Sequence, residues 1–413
     1  MKQHACSARA GTRAIPFLSS LLVFSFAVVA LPAFSADCPP LEKREANVPE
    51  QKPAFEGQTR ACGVQTERAI AVDVVAKGLD KPWAVEPLPG GGWLVTEKTG
   101  QLRHVAKEGE VGNPVKGVPP VDARRQGGLL DVELSPSFAA DRLIYWSYTE
   151  RRKGGNATSV ARGKLAMNHR SLSDVEVIFR AEPAYDGTKH FGSRLVFGRD
   201  GMLFITLGER SEDVMRPQAQ QFNSHMGKVI RIRPDGSVPH DNPFIGTTAA
   251  LPEIWTLGHR NVQSAAIDAS GKLWIVEHGT KGGDEINLIE KGRNYGWVIA
   301  AYGEEYSGKP IETAETWREG TVQPVYYWDP NIAPSGAQFH SGKAFPEWRG
   351  NLFIGGLKDR DLVRVVIQDD KVTGEERLLA DRGQRIRDVK EGPDGFLYVV
   401  TDGGDLWRVK PHK

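Results

Sequence analysis

The residues able to do chemistry in this chain gather beside glycine-rich turns. His190 stands between Gly187 and Gly192, so its backbone can turn and present the ring. A neutral imidazole presented in this way can take a proton near physiological pH, whereas in a packed core it would be a structural ring. Arg260 and Asn261 close the run Gly258-His-Arg-Asn261. Five fixed guanidinium donors beside an amide that donates and accepts suit a planar, oxygen-rich ligand, although the run alone also reads as a surface turn. From Glu277 to Glu285, acidic and imidazole groups alternate with Gly279, Gly282 and Gly283. Glycines let carbonyls turn inward, and calcium accepts backbone carbonyls; the spacing is not that of an EF-hand loop. Lys358 follows a glycine pair, and Arg385 and Arg387 share one face if the chain is extended there. Two guanidiniums side by side call for an anion, and together they suit a ligand with several carboxylates.

The elements that must position these groups are short strands. A unit of a turn pair, usually with glycine, followed by an apolar strand recurs six times. The copies run 91–97, 141–147, 200–206, 270–276, 349–355 and 394–400, at intervals of about 45 to 80 residues. β-Branched and aromatic residues after Asp-Gly or Ser-Gly mark strands entered from hairpin turns. The uneven period fits propeller blades with insertions better than a solenoid, whose repeats stack at near-constant length. The 45 glycines and 26 prolines agree with many turns. The fold expected is therefore all-β, a six-bladed β-propeller over 69–413, with the segment from Ala69 to Val75 closing the ring against the last blade.

Residues 1–36 read as a signal peptide: Lys2, Arg9 and Arg13, an apolar stretch from Ile15 to Leu31, then small residues to Ala36. That stretch is close to the minimum for a membrane anchor, but the small residues directly after it favour cleavage, so no stable membrane span is expected. Residues 37–68 read as a polar, extended lead-in. Cleavage would take the formal charge from +1 to −2 and leave no basic stretch suited to nucleic acid. The expected location is the periplasm or the exterior. No dinucleotide fingerprint, phosphate loop, Cys-x-x-Cys or nucleophile elbow is present, which argues against nucleotide and hydrolase-elbow chemistry.

With these motifs in hand, the sequence resembles the soluble quinone-dependent glucose/sorbosone dehydrogenase family, in particular its aldose sugar dehydrogenase branch. The matching pieces are Gln126-Gly-Gly-Leu-Leu-Asp-Val132, His190 with Ser193-Arg-Leu195, Gly258-His-Arg-Asn261 and Glu277-His-Gly279. They continue with Gly283-Asp-Glu-Ile-Asn-Leu288, Asn294-Tyr-Gly-Trp297 and Ile332-Ala-Pro-Ser335, in family order over about residues 70–410. The resemblance implies a six-bladed propeller that oxidises aldoses to lactones with pyrroloquinoline quinone (PQQ) and Ca2+. It implies His190 as the base and Arg260 as the group polarising the quinone. Gln126, Asn261, Asn331, Lys358, Arg385 and Arg387 would bind the cofactor. Gln126, Glu209 and Asp284 would face the sugar, with Trp328 close by, and the carbonyls of Gly279 and Thr280 would hold calcium. Glu209 stands where the family more often has Asp, and Thr280 where it commonly has Pro. A sugar substrate and a separate electron acceptor follow, the acceptor's identity being left open. Two other readings carry distinct signatures: a metal-dependent propeller hydrolase such as a lactonase would need several inward carboxylates, and a non-enzymatic binding propeller would lack His190 or Arg260.

Only Cys38 and Cys62 remain after the expected cleavage, and an even pair in an exported chain predicts a disulfide. Thiol labelling of mature protein under denaturing, non-reducing conditions is expected to find no sulfhydryl; two labelled cysteines would rule the bridge out.

Overall fold

The computed structural model describes residues 38–412; the segment read as a signal peptide lies outside the described residues. Six four-stranded antiparallel sheets follow one another along the chain. Blade 1 holds Pro82–Pro87, Trp93–Glu97, Gln101–Val105 and Val111–Pro114. Blade 2 holds Leu129–Leu134, Leu143–Arg152, Gly155–Leu165 and Leu172–Arg180, and blade 3 Leu195–Phe197, Leu203–Thr206, Lys228–Ile232 and Ile254–Leu257. Blade 4 comprises Val262–Ile267, Leu273–Glu277, Asp284–Leu288 and Tyr326–Trp328; blade 5, Pro334–Phe339, Leu352–Gly356, Leu362–Gln368 and Lys371–Leu378. Blade 6 takes Ile386–Glu391, Leu397–Thr401 and Leu406–Pro411 from the end of the chain and Ile70–Ala76 from its beginning. The expected closure is therefore present, with Val72 opposite Val409.

Every copy of the repeat is the second strand of its blade. In the five second strands of blades 1, 3, 4, 5 and 6 every residue is buried, because neighbouring blades cover both faces. Polar residues on these strands are accordingly partnered: Thr96 accepts from the Ala84 amide and donates to the Leu130 carbonyl. The expected lead-in from 38 to 68 is tied to blades 4 and 5. The Asp329 carboxylate accepts from the Asn47 and Val48 amides, the Tyr327 amide donates to the Gln58 carbonyl, and the Val64 amide donates to the Glu375 carbonyl.

The innermost strands meet around buried ions. Arg194, entering blade 3, places its guanidinium 2.8 Å from Asp131 of blade 2 and 3.1 Å from Asp388 of blade 6. Its plane lies over the Trp83 ring of blade 1, 4.4 Å from the centroid. Blade 5 comes in through Gly336, where a Cβ would lie 1.6 Å from Asp388 Oδ1. Below them Lys390 bridges Glu133 at 2.7 Å and Glu86 at 3.2 Å.

Removing the cation strands two buried carboxylates. Arg194→Ala is therefore expected to cost about 3–5 kcal/mol, read as a lowered urea midpoint. A change below about 1 kcal/mol would show that these ions do not couple the blades.

Candidate active site

Antiparallel alternation puts the start of each first strand and the turn between the second and third strands at the same end of a blade. The candidate residues occupy these two kinds of segment. Gln126, His190, Asn261, Asn331 and Arg385 precede first strands; Glu209, Gly279, Thr280 and Lys358 lie in second-to-third turns. One face of the propeller thus collects residues scattered over more than 250 positions.

His190 is the best-defined group. It is 7 % exposed, with left-handed backbone (φ +49°), and its amide donates to Gln126 Oε1 at 2.8 Å. Its Nδ1 lies 2.6 Å from Glu209 Oε2, which also accepts from the Ser211 amide. Gly208 permits this approach, since a Cβ there would sit 2.3 Å from the His190 carbonyl oxygen. Burial, reinforced by the Arg260 charge, pushes the His190 pKa down despite Glu209. Burial pushes Glu209 up, but His190 and Arg260 outweigh it and keep it below the usual carboxylate range. The pair is therefore a neutral imidazole and an anion. Nδ1–H must donate to Glu209, which leaves the Nε2 lone pair able to take a proton. The next residue, Arg210, is 1 % exposed and donates to the Lys189, Gly187 and Asn156 carbonyls, fixing the loop that carries His190.

Arg260 is buried, anchored by its amide to Glu277 at 2.7 Å and by Nη1 to the His278 carbonyl at 3.2 Å. Its guanidinium faces the Trp297 ring, and Nε is buried without a hydrogen-bond partner among the described residues. A buried donor left open in this way calls for an acceptor on a ligand. Two depressions share Gln126. One, of about 360 Å³, is lined by His190, Arg260, Lys189 and Tyr306; the other, of about 440 Å³, is lined by the apolar Trp83, Leu130, Phe191 and Leu357 together with Asn261. Arg385 and Arg387 line the larger one. The anion that their proximity demanded is Asp402, 2.7 Å from Arg385 Nε and 2.8 Å from Arg387 Nε. Lys358 is exposed, directly after the lining residue Leu357.

Two expectations need correction. Asp284 does not face the sugar: it is fully buried, accepting from the Gly279 amide at 2.8 Å, the Ala333 amide at 2.7 Å and Asn331 at 3.2 Å. Its carboxylate folds the glycine loop. Half-buried Asn331 is tied to the same loop: it accepts from the Gly282 amide and donates to the Thr280 carbonyl. Trp328 is a core residue donating to Glu375. Conversely, Lys81, Lys98, Arg125, Gln263 and Asp402 line the larger cavity and escaped the sequence reading. The register that places Lys358 after the second strand of blade 5 would have found Lys98 in blade 1 and Asp402 in blade 6.

If Nε2 is the base, His190→Gln should lower turnover by about 10²-fold or more at saturating cofactor. Activity should fall only below the ordinary imidazole pKa of about 6.5, because burial and Arg260 disfavour the imidazolium. Glu209→Gln removes the anion that opposes this shift, so it should lower turnover and move the acid limb to still lower pH. An acid limb above 6.5 in the parent protein, or an unmoved limb in the variant, would contradict the assignment.

Comparison with known proteins agrees with the propeller fold. The model of the family described as "Glucose / Sorbosone dehydrogenase" matches residues 79–408. The chain is 46 % identical over 348 residues to aldose sugar dehydrogenase YliI of Escherichia coli, covering 83 % of this chain and 93 % of that one. The apo-form crystal structure of the soluble aldose sugar dehydrogenase from Escherichia coli superposes with a TM-score of 0.80 at 45 % identity, over 83 % of this chain and 100 % of that one. The PQQ-bound aldose sugar dehydrogenase of Streptomyces coelicolor superposes with a TM-score of 0.69 at 28 % identity, over 84 % and 100 %. A family match over nearly the whole propeller and a relative 46 % identical over most of both chains lead to one conclusion: this chain belongs to the glucose/sorbosone dehydrogenase family.

Proposed function

We propose that this chain oxidises aldose sugars at the anomeric carbon to lactones, with PQQ and calcium as its cofactors, in the periplasm or outside the cell. The observation that carries the reading is the His190–Glu209 pair, which leaves Nε2 as a proton acceptor beside a cation-lined cavity. The residues fit a planar, multi-carboxylate quinone: apolar side chains, the open Nε of Arg260, Asn261, and the guanidiniums of Arg385 and Arg387. When bound, the quinone supplies a two-electron acceptor for the hydride leaving the sugar carbon. His190 takes the anomeric hydroxyl proton on Nε2, and Glu209 stabilises the imidazolium that forms. Arg260 offers fixed positive charge to oxygens that gain electron density in the reaction. Gln126, shared by the two depressions, holds the His190 amide and so fixes the base relative to the ligand.

Calcium would rest on the carbonyls of Gly279 and Thr280. The loop gathers carbonyls tightly, since a Cβ on Gly279 would lie 2.2 Å from the Gly283 carbonyl oxygen, and hard oxygen donors suit the ion. One lone pair of the Thr280 carbonyl is already used by Asn331, so the cofactor's own oxygens would complete the shell. A metal-dependent hydrolase would line its site with carboxylates; here five cations line the larger cavity and its acid, Asp402, is paired with two of them.

Purified apo-protein should reduce a dye with aldoses only after both quinone and calcium are added. Equal activity in chelator without quinone would overturn the assignment.

A further inference from the structure

The larger cavity has more positive charge than the expected cofactor contacts use. Arg385 and Arg387 are already half-neutralised by Asp402. On the wall built by blades 1 and 2 stand Lys81, Lys98 and Arg125, and among the described residues none of these three forms an ion pair. Lys98 is half-buried, and its ammonium donates to the Arg125 carbonyl. Burial holds its pKa below the ordinary lysine value, and repulsion from Lys81 and Arg387 adds to the effect, which Asp402 and Asp80 offset only in part. A partly desolvated ammonium beside two cations gains from an anion in direct contact, and a carboxylate with its acceptor oxygens is the natural counter-charge. Arg125 is the neighbour of Gln126, whose side chain holds the His190 amide, so an anion here would lie next to the reacting centre.

We propose that Lys98, flanked by Lys81 and Arg125, is a binding site for a carboxylate carried into this cavity. The inference rests on the quinone reading above and extends it to a wall of the cavity that the reading leaves unused. The carboxylate has two sources: one carried by the cofactor, or that of an acidic aldose such as a uronic acid.

The test uses the full mature chain and the variants K98M, K98R and K81M, with R385A as reference. PQQ is titrated into calcium-loaded apo-protein and followed by quenching of tryptophan fluorescence. The holo-enzymes are then compared on glucuronate and glucose. If the cofactor is the source, K98M weakens PQQ binding about ten-fold or more and K98R restores most of it. If the sugar is the source, PQQ affinity stays constant but the ratio of kcat/KM for glucuronate over glucose falls about ten-fold. Neither change exceeding two-fold in K98M and K81M overturns the proposal. Should K98M fail to fold, K98Q and the exposed-site variant K81M carry the same two arms. R385A separates the levels: weakened PQQ binding in R385A alone, with the glucuronate-to-glucose ratio unchanged in K98M and K81M, sinks only the Lys98 site, whereas unchanged binding in every variant sinks the quinone reading itself.

Discussion

The guanidinium of Arg194 is the interaction on which the rest of the molecule depends. It meets Asp131 of blade 2 and Asp388 of blade 6, covers Trp83 of blade 1, and belongs to blade 3. Asp388 in turn accepts from the Val85 amide and is approached closely by Gly336 of blade 5. A propeller has little to hold opposite blades together, since each sheet packs mainly on its neighbours. Buried opposite charges bind across the axis and tolerate only one arrangement, because a displaced partner leaves an uncompensated ion. Trp83 also lines the larger cavity, so the ion cluster and the cavity share a side chain.

The candidate site itself is built from strained and closely bonded groups. His190, Arg210 and Ser211 all adopt positive φ, at +49°, +76° and +73°. Such conformations cost of order 1–3 kcal/mol each and persist where surrounding bonds over-determine them. Here Arg210 supplies those bonds: four donor contacts to the 156 and 187–189 segments and the face of Phe191 at 4.1 Å. His190 is thus held from two sides by consecutive residues, Glu209 through the ring and Arg210 through the backbone.

The repeat was legible because the second strand of each blade must be apolar on both faces, so it stands out as a short hydrophobic run after a turn. The first strands were not legible. They carry Glu86, Asp131, Glu133, Asp388 and Lys390 into the axis, and charges in a linear sequence read as solvent-facing. For the proposed site, glycine-flanked turns and motif order point to His190 and Arg260, and motif order alone to Glu209. A carboxylate such as Asp284 in a glycine-rich loop looks available until the amides of Gly279 and Ala333 are seen to occupy it. Asp402 and Lys98 were missed for the converse reason: each looks like an ordinary surface charge in an ordinary turn, and only the shared register of the blades brings it to the cavity.

Closure of blade 6 has a further consequence for the order of events in the life of the chain. Ile70–Ala76 pairs with Leu406–Pro411, a strand made more than 300 residues later. Until residues 406–411 emerge, five blades can form by local pairing, yet the ring stays open and the edge along Ile70–Ala76 remains unpaired. Sealing of the ring therefore waits for the strands of blade 6. A nascent or C-terminally clipped chain is an open arc with adhesive ends, so translation and proteolytic trimming act directly on whether a ring exists at all.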